Sequence, residues 1–186
     1  MWRIILLFLT ITPTITAQNE FWYGVKGGIT RASYLVVDEG DWRGLHGHRN
    51  GVNCGLFLKF NKYLMTDLSF VQKGGRKDQL NYISFGGYLC LPKILYPFIG
   101  LHYDFLKSKL IGDGRLHKPT VRRTNWSYSI GIGYQEIKIG NQNFLIETKL
   151  DWVDQTPSVD THDEDFTILK NVSVDLKIGW YFKSNL

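Results

Sequence analysis

His102 and Asp104 stand two residues apart, and Ser127 and Ser129 repeat that spacing further along the chain. A hydrolytic triad needs a nucleophile, a base and an orienting acid in hydrogen-bond contact. Residues two apart in an extended strand share one face, so each of these pairs points one way. Polar residues facing a polar interior give the same arrangement without catalysis, and no enzyme activity is expected. A larger constellation comprises Lys26, Lys59, Asp67, Lys73, His102, Asp104, Glu147, Lys149, Asp151, Asp175 and Lys177, all at polar positions of alternating stretches. A lone buried charge costs on the order of several kcal/mol, so these mixed signs must pair or stay wet. A network of ion pairs stiffening an interior is expected.

The remaining candidates are weaker. His46-Gly47-His48 is too sparse for a zinc site. The acidic run 160–165, with His162 inside it, lacks the ligand spacing of a calcium loop. No metal or cofactor is expected. A basic segment, residues 107–123, carries Lys107, Lys109, Arg115, His117, Lys118, Arg122 and Arg123 against the single acid Asp113. Such clusters bind phosphate by charge and bidentate contact, so this segment is a candidate for lipopolysaccharide, or for pairing with the acidic run. Cys54 and Cys90 fall on opposite faces of non-adjacent stretches, and two free thiols are expected.

The elements that carry these residues are strands. In the last stretch, every second residue from Val172 reads Val, Val, Leu, Ile, Trp, Phe, while the others read Ser, Asp, Lys, Gly, Tyr. Period two defines a strand, and its length matches the about 9–11 residues of a tilted membrane-crossing strand. Seven earlier stretches repeat the pattern: residues 20–35, 51–60, 63–74, 79–91, 97–106, 125–139 and 144–153. Phe57 breaks it, being an apolar residue on a polar face. The intervening connections alternate, with a long one at 36–50, a two-residue turn at Asn61-Lys62, a long one at 107–123, a tight turn at 140–143 and a long one at 154–167. Outer-membrane barrels combine an even strand number, short periplasmic turns and longer outer loops. An all-β fold is therefore expected: an eight-stranded antiparallel up-and-down transmembrane β-barrel with both termini on the periplasmic side. Trp126, Tyr128, Tyr134, Phe144, Trp152, Trp180 and Phe182 lie on the apolar faces near strand ends, where interface aromatics belong. A soluble lipocalin-like barrel would turn the same faces the other way.

With 186 residues, the chain has the length of one domain. The start, Met1-Trp2-Arg3, is followed by an apolar run from Ile4 to Leu9 and small residues up to Ala17. That is the form of a secretory signal peptide, so residues 1–17 are expected to be cleaved near Ala17 and residues 18–186 to form the barrel. The formal net charge of +5 falls by one with the loss of Arg3, a mild bias that gives no nucleic-acid signature.

Several short motifs, in order, resemble the PorT-like outer-membrane β-barrel family of Bacteroidetes. They are Tyr23-Gly24-Val25-Lys26-Gly27-Gly28-Ile29, then Asp67-Leu68-Ser69-Phe70-Val71-Gln72-Lys73-Gly74-Gly75, Leu80-Asn81-Tyr82-Ile83-Ser84-Phe85 and Tyr96-Pro97-Phe98-Ile99-Gly100-Leu101. Gly131-Ile132-Gly133-Tyr134 and Gly179-Trp180-Tyr181-Phe182 complete the set. The resemblance implies an outer-membrane location, and the family's namesake is linked to a secretion apparatus. The expected role is structural or accessory: a monomeric barrel in contact with outer-membrane lipid, with an envelope protein as its partner. A narrow pore and a soluble ligand-binding barrel are the alternatives.

Overall fold

The computed structural model describes residues 20–38, 41–75, 78–111, 123–153, 158–159 and 167–185. The expected signal peptide (residues 1–17), Arg115, Lys118 and Arg122 of the basic segment, and the acidic run 160–165 lie outside the described residues. The strands are β1 (Glu20–Asp38), β2 (Asp41–Phe60), β3 (Leu64–Lys73), β4 (Asp78–Cys90), β5 (Leu95–Ile111), β6 (Thr124–Ile139), β7 (Gln142–Val153), the two-residue β8 (Ser158–Val159) and β9 (Thr167–Asn185). Each of β1 to β7 pairs antiparallel with the next, β7 pairs with β9, and β9 pairs with β1. Eight strands thus close into a barrel, and closure leaves no unpaired backbone edge. β8 adds only a short pairing to β9.

Alternation decides which way each face points. On β9, Lys177 is 1% exposed and Asp175 fully buried, whereas Ile178 is 59% and Leu176 48% exposed. The apolar faces therefore point outward and the charged faces inward, which overturns the lipocalin-like alternative. A water-soluble barrel would not present Ile29, Leu56, Phe85, Ile99 and Ile130 on one continuous exterior. Aromatic contacts band that exterior at two levels. Near the loop end, the Tyr103 ring lies 4.6 Å from Phe105 and 4.9 Å from Trp126, and Tyr128 stacks on Trp152 at 5.8 Å. Near the turn end, Phe21 meets Phe60 at 5.1 Å, Tyr23 stacks on Phe182 at 5.5 Å, and Trp180 meets Phe182 at 4.9 Å. An apolar band between aromatic girdles is the exterior of a transmembrane barrel.

The turn end is tight. Asn61 and Lys62 both have positive φ, 48° and 64°, the backbone that matches a hairpin to the twist of its strands. The loop end departs from expectation. Residues 36–50 were expected to form a long loop, but β1 runs on to Asp38, β2 starts at Asp41, and pairs such as Val37↔Trp42 continue the ladder. Bulges at Ala32/Tyr34 and Val36/Val37 bend this ribbon, with Gly47 at φ 66° opposite the first. Likewise β5 extends through Lys107 and Lys109 to Ile111. Beyond the hydrocarbon both faces of a ribbon can be wet, so strand continues there without the alternation that marks it elsewhere.

Candidate functional site

The barrel lumen is the candidate site, and it is filled. Five lysines (Lys26, Lys59, Lys73, Lys149, Lys177) are buried with four aspartates (Asp67, Asp104, Asp151, Asp175) and Glu147, so the described interior is electroneutral. Lys26 Nζ lies 2.9 Å from Asp67 Oδ2 and 3.2 Å from Glu147 Oε2, bridging β3 and β7 across the lumen. The Tyr88 hydroxyl donates to Asp67 at 2.9 Å, and the Tyr96 hydroxyl to Glu147 at 2.6 Å. Nearer the loop end, Lys73 Nζ reaches Asp104 Oδ2 at 3.0 Å, and Ser127 donates to the same oxygen. Lys149 Nζ lies 3.0 Å from Asp151 Oδ2 and 3.6 Å from Asp175 Oδ2. Low local dielectric makes such contacts strong and their disruption costly.

Lys59 is the exception among these lysines. Its Nζ donates to Gln135 Oε1 at 2.9 Å and sits 3.8 Å from the Tyr96 ring centroid and 5.0 Å from that of Trp22. Aromatic faces stabilise a desolvated cation through their quadrupole. Lys59 thereby joins an apolar plug that closes the turn end: Trp22, Phe57, Met65, Tyr88, Cys90, Tyr96, Phe98, Leu145 and Tyr181. Trp22 stacks on Tyr181 at 5.1 Å, and Tyr88 meets Phe98 edge-on at 5.4 Å.

The plug fits because its rings oppose glycines. Tyr96 pairs across strands with Gly133, Phe98 with Gly131, and Tyr88 with Gly100. A Cβ at any of these glycines would overlap the facing ring. His102 pairs with Gly86 in the same manner, and a Cβ there would crowd the imidazole and Asp67. An eight-stranded barrel has just enough interior for side chains to fill it, and these sockets let large rings enter.

Sequence reasoning grouped His102 and Asp104 with Ser127 and Ser129. All four are buried on the lumen wall. The contacts do not form a triad. His102 Nδ1 is 3.1 Å from Ser84 Oγ, its Nε2 is 3.4 Å from Lys149 Nζ, Ser127 donates to Asp104, and Ser129 donates to Asp151 at 2.6 Å. Alternation marks Ser84, Tyr88 and Tyr181 as inward residues in the sequence, whereas Trp22, Met65, Tyr96, Phe98 and Leu145 are not distinguished there. Their inward parity was the available signal, since Trp22 shares a face with Lys26, Met65 with Asp67, and Leu145 with Glu147.

Of the basic segment, Lys107, Lys109 and Arg123 are described, and all three are exposed. On β5 a bulge at Lys107 resets the alternation: Ser108 pairs with Asn81, and Lys109 pairs with Leu80, which is buried. Both lysines are exposed at the rim, immediately above the loop-side girdle. Cys54 is exposed and Cys90 buried, and both are free. A groove of about 230 Å³, lined by Tyr23, Val25, Leu56, Leu58, Trp180 and Phe182, lies on the outer face, not in the lumen.

No family model matches the chain, and no curated protein matches it. Solved structures do. The outer membrane protein OprG from Pseudomonas aeruginosa superposes with a TM-score of 0.50 at 14% identity, over 88% of this chain and 96% of that one. Neisserial surface protein A (NspA) gives a TM-score of 0.50 at 12% identity, over 87% and 97% of the respective chains. The fold is that of the eight-stranded outer-membrane β-barrels.

Proposed function

We propose that the chain is a closed outer-membrane barrel with a structural or accessory, partner-binding role, and that it is neither an enzyme nor a pore. The observation that carries this reading is the electroneutral lumen stoppered by an aromatic plug. A conduction path needs an open, wet interior, and a hydrolase needs a reachable nucleophile bound to its base. Ser127 and Ser129 are buried and bonded to carboxylates instead. With the lumen occupied, recognition falls to the outer surface and the two rims.

The loop-side rim favours lipid phosphate. Lys107 and Lys109 are exposed at the rim just above Tyr103, Phe105 and Trp126, the level of outer-leaflet headgroups. Lipopolysaccharide phosphates supply the complementary charge there. The resemblance of its short motifs to PorT-like barrels supports a second contact, with an envelope protein of a secretion or maintenance assembly.

Photo-crosslinking in the native envelope tests both contacts, with probes at Lys109 on the loop rim and Lys62 in the first turn. The expected result is a lipopolysaccharide adduct from Lys109 and a discrete protein adduct from one of the two positions. No adduct of either kind from a folded barrel would overturn the partner-binding role.

A further inference from the structure

Two walls of the lumen treat their hydroxyl groups differently. On the wall formed by β4, β6 and β7, Ser84, Ser127 and Ser129 are all hydrogen bonded. On the wall formed by β9, β1 and β3, the hydroxyls of Ser173, Thr30 and Ser69 are buried and make no hydrogen bond, while Ser33, at the β1 bulge, finds a partner in His48. The difference extends along β9. Its successive inward residues Asn171, Ser173, Asp175 and Lys177 each carry a polar atom without a hydrogen-bond partner. For Asp175 that atom is Oδ1. Its Oδ2 takes every contact: Asn53 Nδ2 at 2.7 Å, Lys177 Nζ at 3.5 Å and Lys149 Nζ at 3.6 Å. Asn53 Oδ1 is also unpaired, and Asn53 lies beside Gly28, which is paired with Lys177.

Isolated unpaired groups occur in proteins, but a continuous line of them does not persist dry. Each desolvated donor or acceptor destabilises the fold unless something bonds it. Bound water is the species that bridges such atoms, given two to four polar partners. Exposure rises along the line, from 1% at Lys177 and 0% at Asp175 to 2% at Ser173 and 6% at Asn171. The line therefore approaches solvent at the loop end. In the other direction it meets Gly179, which pairs with the buried Leu145. That side chain occupies the space a Cβ at Gly179 would need.

We propose that a file of bound water runs along the inward face of β9, from Asn171 at the loop rim to Lys177 at mid-depth, and stops at Leu145. At about 3.4 Å per residue the file covers about 20 Å of strand. The lumen is then a half-channel for water. Its water reaches Lys177 and Asp175 from the loop side, and the turn side is sealed by Leu145 and the Trp22–Tyr181 stack.

Water-to-protein magnetisation transfer, measured by NMR on the full chain refolded in nanodiscs, tests this. Cross-peaks are expected at the amides of Gly28, Asn53, Ser173, Asp175 and Lys177, with none at Gly179, Ser127 or Ser129. An absence of cross-peaks at the first group, or equal intensity on both walls, would overturn the proposal. Thr30→Val gives an independent check, because valine matches threonine in shape and removes only the hydroxyl. If that hydroxyl bonds water, the urea midpoint stays the same or falls. A rise would mean that it is dry and would overturn the proposal. Leu145→Ala is expected to extend the cross-peaks to Gly179 and Tyr181, and an unchanged pattern would overturn the assignment of Leu145 as the stop.

Discussion

Along β5 the inward residues change character within a single strand: Tyr96 and Phe98 point into the turn-side plug, and His102 and Asp104 into the charged middle. The two regions occupy equivalent positions on the same wall and fill the same lumen. The plug does so with rings set over glycines, and each contact is a matter of volume. The middle does so with ions, where each lysine depends on particular carboxylates. Loss of volume is graded, since neighbours relax partly around a gap. Loss of one ion is not graded, since its partner stays buried and uncompensated.

The largest expected effect sharpens that contrast. Lys26→Met removes the cation shared by Asp67 and Glu147 and should destabilise the barrel by about 3–5 kcal/mol in urea unfolding from lipid vesicles. Adding Glu147→Gln to that variant should cost far less than it does alone, because the two residues belong to one network. Strict additivity would mean that the ions act separately and would break the comparison. In the plug, Gly133→Val drives a side chain into the Tyr96 ring and should cost about 1–3 kcal/mol, partly recovered by Tyr96→Leu. Smaller again, Ser127→Ala removes one donor to Asp104, which keeps Lys73, and about 1 kcal/mol is expected. On the outer face, Phe85→Leu exchanges one lipid-facing apolar group for another, and a change within about 0.5 kcal/mol is expected.

Most of the barrel could be read from alternation. Val174, Leu176 and Ile178 against Asp175 and Lys177 define two faces, and the same reading located the interior charges on six strands. Phe57 registered as a break in the pattern, and it is a plug residue. Trp22, Met65, Tyr96, Phe98 and Leu145 were harder to see for one reason: inward had been equated with polar. Their parity is that of the neighbouring lumen residues, and a narrow lumen accepts apolar rings wherever a glycine faces them. The glycines read as small members of a polar face, and their role as sockets appears only once the register pairs Gly133 with Tyr96 and Gly131 with Phe98. The serine–histidine set shows a similar limit. The spacing of His102, Asp104, Ser127 and Ser129 placed them on neighbouring strands, but diagonal contacts decide who bonds whom, and these join Ser127 to Asp104 and His102 to Ser84. The 36–50 stretch read as a loop because alternation fades where the ribbon leaves the membrane, while backbone pairing holds it in strand.

Single-channel recording of the purified chain in planar bilayers tests the closed lumen most directly. A filled, electroneutral interior predicts no unitary conductance in the wild-type protein at any holding potential that the bilayer survives. Steady, reproducible conductance steps from a folded, heat-modifiable barrel would contradict it, and the chain would then have to be regarded as a pore.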